Sequence, residues 1–286
     1  MTTEPRPFAQ IDVFSARPGY GNPVAVVLDG RGLDDDAMQR FARWTNLSET
    51  TFVLPPDDPR ADYALRIFTP GGELPFAGHP TLGSCFAWLA AGGVPKSAGR
   101  IAQQCAKGLI DIRQDGERLA FAAPPMQASD PAPGSVDPVT QALGLAPAQV
   151  RRAQILDNGP RLLTLLLDSA DTVRALKPDH PRLAALGQNV AVAGLYRAID
   201  AASAEPLIEV RVFVPSMDIS EDPVTGSLNA SLAQWLIAAG ELPARYVAAQ
   251  GAALGRAGRV HVERDAQGQV WIGGDCVRVI AGKLML

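Results

Sequence analysis

Three ionisable residues, Glu49, His79 and Asp222, lie where the chain turns out of one element and into the next. A carboxylate, an imidazole and a second carboxylate are the groups that can take a proton from carbon, hold it and return it. The segments carrying two of them look alike. Arg66-Ile67-Phe68-Thr69-Pro70 leads into Ala77-Gly78-His79-Pro80-Thr81-Leu82-Gly83-Ser84. Arg211-Val212-Phe213-Val214-Pro215 leads into Glu221-Asp222-Pro223-Val224-Thr225-Gly226-Ser227. Laying His79 on Asp222 aligns Pro80 with Pro223, Gly83 with Gly226 and Ser84 with Ser227, while the upstream strands match two residues out of step. The pattern reads as one half-domain written twice, with unlike ionisable side chains at the same place in each copy.

Glu49 stands in Asn46-Leu47-Ser48-Glu49-Thr50-Thr51-Phe52-Val53 and falls on Val192 at that offset, so its carboxylate belongs to one copy alone. Taken singly, each residue also has a plain reading. Glu49 can be a solvated loop carboxylate or a partner of Arg43, His79 a turn or packing residue, and Asp222 a helix N-cap. Two helix starts, with Gly78, Gly226 and Ser227 allowing close backbone approach, would suit a substrate carboxylate. A glutamate desolvated beside such a pocket would have the raised pKa that proton shuttling at neutral pH requires.

The elements that must hold these groups alternate strand and helix. Strands are expected at Phe8–Phe14, Pro23–Leu28, Thr51–Leu54, Tyr63–Phe68, Gly108–Gln114 and Arg118–Ala122, the last two joined by an Asp115-Gly116 turn. An amphipathic helix is expected over Leu33–Trp44, with Asp34–Asp36 at its N-terminal end. The helices Thr81–Ala91 and Val224–Ala239 are apolar nearly all round and should be buried. Each lobe is therefore expected to wrap a sheet around one central helix. Pro, Ala, Gly and Asp crowd residues Ala123 to Pro138, which sets the lobe boundary there: 1–127, with the C-terminal strand as a candidate to complete it, and 128–286. Further strands are expected at Arg161–Leu167, Val190–Leu195 and Leu207–Val214. A meander over Gly258–Glu263, Val270–Gly273 and Val277–Ala281 is expected to close the second lobe.

Composition narrows the function classes. The 286 residues fit two domains, and a net charge of −4 without a Lys/Arg block disfavours nucleic acid and anionic membrane surfaces. Cys85, Cys105 and Cys276, like His79, His180 and His261, are dispersed, so neither a disulfide framework nor a metal site is expected. No hydrophobic run reaches bilayer length and the N-terminal stretch lacks an apolar core, which leads us to expect a cytoplasmic protein. Gly251-Ala252-Ala253-Leu254-Gly255-Arg256 lacks dinucleotide-binding spacing.

At Gly21-Asn22-Pro23, Leu47-Ser48-Glu49-Thr50, Glu73-Leu74-Pro75-Phe76-Ala77-Gly78-His79-Pro80 and Glu221-Asp222-Pro223-Val224-Thr225-Gly226-Ser227, the chain resembles the PhzF family of phenazine-biosynthesis isomerases. The resemblance implies an α+β, diaminopimelate-epimerase-like fold of two pseudo-symmetric lobes, each a curved, mostly antiparallel sheet around a buried helix, with the active site in the cleft. It implies Glu49 as acid/base, His79 and Asp222 as its catalytic companions, and Gly78, Ser227, Gly226 and Asn22 as substrate-binding residues. It also implies a homodimer, no cofactor, and a small carboxylate substrate such as trans-2,3-dihydro-3-hydroxyanthranilate. Epimerases of this fold carry a cysteine at each helix start. This chain has none there, and Cys85 lies farther along an apolar stretch, so a single glutamate working one face, an isomerisation, is expected. An amino- or hydroxy-acid epimerase, or a carboxylate-binding protein without a reaction, are the other readings.

Overall fold

The computed structural model describes residues 4–196, 205–215 and 219–286. It divides into two compact units, 1–122 with 273–286, and 123–272. In the first unit the strands are β1 (Pro5–Val13), β2 (Asn22–Val27), β3 (Thr50–Leu54), β4 (Tyr63–Phe68), β5 (Glu73–Leu74), β6 (Arg100–Cys105), β7 (Gly108–Asp115) and β8 (Arg118–Ala122). Two helices join them, α1 (Asp35–Thr45) and α2 (Gly78–Ala90). In the second unit come β9 (Gln127–Ser129), α3 (Val136–Ala142), β10 (Val150–Asp157), β11 (Arg161–Leu167), α4 (Ala170–Ala175) and α5 (His180–Leu186). After these follow β12 (Val190–Leu195), β13 (Ile208–Phe213), α6 (Gly226–Ala238), β14 (Arg245–Gln250), β15 (Gly258–Arg264) and β16 (Val270–Gly274). The last strand, β17 (Cys276–Met285), runs antiparallel along β1. The expected C-terminal meander therefore stops short of β17.

Hydrogen bonding repeats in the two units. In the first, β17–β1 and β1–β2 are antiparallel, β2–β3 parallel, β3–β4 antiparallel, β4–β6 parallel and β6–β7 antiparallel. In the second, the same order of senses runs through β9–β10, β10–β11, β11–β12, β12–β13, β13–β14 and β14–β15. The doubling suspected from two short motifs is thus a doubling of topology.

Local chemistry explains the element ends. Asp34 caps α1 by accepting from the Ala37 amide at 2.8 Å, and Asn46 ends it in the left-handed conformation. Met38, Phe41 and Ala42 on its inner face pack with Val27, Phe52 and Phe68. Helix α2 is buried from Gly78 through Cys85 and touches β1, β2, β3, β4, β6, β8 and β17. A Cβ on Gly83 would stand 2.4 Å from Val24 Cγ1 and 2.9 Å from Val13 Cγ2, so helix and sheet meet closer there than any other residue permits. Cys85 lies in this core and is fully buried. Residues Leu228 to Ala233 of α6 are likewise buried. The segment Ala123 to Pro138, read as the lobe boundary, contains β9 and the start of α3. Strands β6, β10 and β14 and helices α4 and α5 lie outside the elements expected from sequence.

Candidate active site

In the first unit, Glu49 stands one residue before β3, with its carbonyl accepting from the Ala25 amide at 3.4 Å. The Thr50 hydroxyl lies 2.7 Å from that of Thr45 at the end of α1. The Thr51 hydroxyl lies 2.8 Å from that of Ser84 on α2, which ties strand and helix together. The result is a contact: Glu49 Oε2 is 3.3 Å from His79 Nε2. Their side chains are 12% and 6% exposed. Burial disfavours the ionised carboxylate and pushes the Glu49 pKa up to about 7, against a weaker opposing pull from the Ser48 hydroxyl. Asn22, fully buried at the start of β2, directs its amide nitrogen at His79 Nδ1 over 3.4 Å. Gly78 and His79 open α2, where first-turn amides have no intrahelical acceptor and Ala77 offers no side-chain cap.

In the second unit, Asp222 is buried and its carboxylate accepts from the Thr225 hydroxyl. The Asp222 amide donates to the Val212 carbonyl on β13 at 3.0 Å. Gln250, at the end of β14, gathers the loop. Its Nε2 donates to the Asp222 carbonyl (3.1 Å) and the Thr225 hydroxyl (2.9 Å), and its Oε1 accepts from the Thr225 amide at 3.0 Å. Thr225 is the N-terminal flanking residue of α6, but with its hydroxyl given to Asp222 it makes no cap. Gly226 and Ser227 thus open a helix without a side-chain cap, as Gly78 and His79 do. The Ser227 carbonyl accepts from Asn158 Nδ2 at 2.8 Å. Asn229 is fully buried and donates to the Thr225 carbonyl and to Gln250.

The two helix starts correct the sequence alignment. Both helices are 13 residues long and begin at Gly78 and Gly226, an offset of 148. At that offset Glu73-Leu74-Pro75-Phe76-Ala77-Gly78 lies on Glu221-Asp222-Pro223-Val224-Thr225-Gly226, a Glu-x-Pro-x-x-Gly repeat. Each Glu forms a bidentate pair with the arginine of the preceding strand, Arg66 with Glu73 and Arg211 with Glu221. His79 therefore corresponds to Ser227, and Asp222 to Leu74. Asp222 precedes α6 by four residues and does not cap it. Register also moves the counterpart of Glu49. Ala25 donates to the Glu49 carbonyl as Leu163 donates to that of Asn189, so Asn189 takes its place rather than Val192. The carboxylate still belongs to one copy. Gln250 was missed because its strand was missed, and its partners are more than twenty residues away.

Among the described residues, no three His, Cys, Asp or Glu side chains are grouped to hold a metal ion. Among the described residues, no helix is long and apolar enough to cross a membrane.

Residues 11–282 match the family model described as phenazine biosynthesis-like protein. The chain is 35% identical to trans-2,3-dihydro-3-hydroxyanthranilate isomerase of Pseudomonas aeruginosa, over 92% of this chain and 91% of that protein. It is also 35% identical to antisense-enhancing sequence 1 of Schizosaccharomyces pombe, over 96% and 97%. Among solved structures, the Bacillus anthracis phenazine biosynthesis protein of the PhzF family aligns with a TM-score of 0.83 at 22% identity, covering 99% of this chain and 100% of that one. That likeness carries the fold, the α+β, diaminopimelate-epimerase-like class.

Proposed function

Because the chain belongs to the phenazine biosynthesis-like (PhzC-PhzF) family of isomerases, we propose that it moves a proton within a small carboxylate substrate without a cofactor. The observation supporting this is the Glu49–His79 contact, 3.3 Å long and largely shielded from water. A carboxyl that titrates near 7 can accept a proton as a base and return it as an acid within one turnover.

In this reading the Glu49 carboxylate removes a proton from an acidic C–H, and the electron pair delocalises into the substrate. Glu49 then returns the same proton to another carbon on the same face. A two-base inversion would need a second proton carrier on the opposite face. We assign His79 and Asp222 to orienting the substrate's amino or hydroxyl groups. Gly78, Gly226 and Ser227, with the uncapped helix starts, would hold its carboxylate through backbone amides. Asn22 supports His79.

The relative in Pseudomonas aeruginosa is named for trans-2,3-dihydro-3-hydroxyanthranilate, which makes that compound the first substrate to try. Proton NMR in D₂O with wild type and Glu49→Gln tests the reading. Conversion or solvent-deuterium incorporation is expected with wild type alone, and full activity in Glu49→Gln would sink the assignment. Activity that survives dialysis against a chelator is expected of an enzyme without a cofactor. We further propose a homodimer, to be checked by light scattering of the eluting peak.

A further inference from the structure

We propose that Asn22 is a positioning residue that keeps the His79 ring proton on Nε2, the nitrogen facing Glu49. This deepens the isomerase reading of the same site and rests on it for its catalytic meaning.

The Asn22 amide nitrogen, 3.4 Å from His79 Nδ1, can only donate, so Nδ1 must present its lone pair. A neutral imidazole with a lone pair on Nδ1 carries its hydrogen on Nε2. That nitrogen is the one 3.3 Å from Glu49 Oε2. The amide is held in place by the fold. Asn22 pairs with Val13 across β1 and β2, and its side chain is fully buried. The preceding Gly21 donates its amide to the buried Asp12 carboxylate at 3.0 Å. A Cβ on Gly21 would stand 2.2 Å from the Val13 carbonyl oxygen, so the turn delivering Asn22 has one close-packed path.

The consequence is a division of labour. With its hydrogen on Nε2, His79 turns an N–H toward Glu49 Oε2, 3.3 Å away, and cannot take a proton from it at that atom. Its other nitrogen faces an amide donor. The proton leaving substrate carbon therefore goes to Glu49 and returns from Glu49, while His79 begins and ends the cycle with one ring hydrogen. Asn22 makes the site a single-carrier site by fixing a tautomer.

The test is ¹⁵N NMR of histidine-labelled protein without substrate. The chain has three histidines, so the His79 ring can be assigned by its loss in His79→Gln. Wild type, at a pH where the ring is neutral, is expected to show the hydrogen on Nε2. Asn22→Asp, which puts an acceptor against Nδ1, is expected to move the hydrogen to Nδ1 or to charge the ring. It should also lower kcat by on the order of 10². A wild-type ring protonated on Nδ1, or doubly protonated at every pH where the protein is folded, overturns the proposal. So does a folded Asn22→Asp protein with an unchanged tautomer. If Asn22→Asp does not fold, the wild-type spectrum still decides. The spectrum needs no substrate, so it fails separately from the isomerase reading.

Discussion

At the scale of single residues, burial is what would suit Glu49, otherwise an ordinary loop carboxylate, to the proton-carrying role proposed for it. Its pKa rises from 4.5 to about 7, so between those values the folded chain keeps a proton that the unfolded chain has lost. Stability from this group is full below pH 4.5 and is lost as pH rises through 7, by about 3 kcal/mol at the end of the window. Glu49→Gln has no such titration. It should gain stability over wild type between pH 5 and pH 8, and urea unfolding at both pH values measures that gain. Parallel pH slopes in the two proteins would refute the linkage. In wild type, kcat/KM should climb with pH through about 7 as the carboxylate forms. Glu49→Gln should lose a factor on the order of 10² to 10⁴. Glu49, His79, Asp222 and the glycines could be picked out in sequence from their types and turn settings. Their pairing with one another could not: a 3.3 Å contact across thirty residues depends on how α2 is pressed against β3.

At the scale of elements, two arginine–glutamate pairs do the same geometric work in different solvents. Arg211 and Glu221 are each 4% exposed and brace the strand leading to Asp222 against its loop, with Arg211 also donating to the Leu176 carbonyl at 2.9 Å. Arg66 and Glu73 are 27% and 37% exposed. Removing one partner strands a buried charge in the first case and a hydrated one in the second. Glu221→Gln is therefore expected to cost about 3–5 kcal/mol, and Glu73→Gln about 0–1 kcal/mol, in chemical denaturation. Equal losses would mean that water reaches the inner pair. Gly83→Ala should cost about 1–3 kcal/mol by overpacking Val24 and Val13, and should disturb the Glu49–His79 contact by lifting α2. A thermal midpoint and activity matching wild type would show that the interface yields. The strands around these helices were legible where apolar residues alternate or run together locally, as at Tyr63–Phe68, Arg118–Ala122, Arg161–Leu167 and Val190–Leu195, whose bounds are those read from sequence.

At the scale of the whole molecule, the first unit is built from both ends of the chain. Along nearly all of its length β17 pairs with β1, and Leu284 and Leu286 pack against the cluster of Val27, Met38 and Phe41. The second unit has its own core of Val139, Leu163, Leu165, Val190, Val192 and Phe213. Deleting residues 276–286 should therefore speed amide exchange in β1 and β2 by orders of magnitude while protection in β11–β13 persists. Unchanged exchange in β1 would show that β17 is dispensable to the unit.

By itself the sequence determined the doubling, the two buried helices, the residues able to do proton chemistry and the family, because each is written in side-chain type and short-range spacing. Only the tertiary structure decided the register between the copies. A five-residue slip in a short motif match is invisible locally, yet Gly78 and Gly226 start their helices 148 residues apart, which pairs His79 with Ser227, while the registers of β2–β3 and β11–β12 pair Glu49 with Asn189. It alone also decided which nitrogen of His79 faces Glu49 and how far the Glu49 pKa rises. Both follow from the removal of water and the approach of groups distant in the chain, and neither has a local signature in the residues concerned.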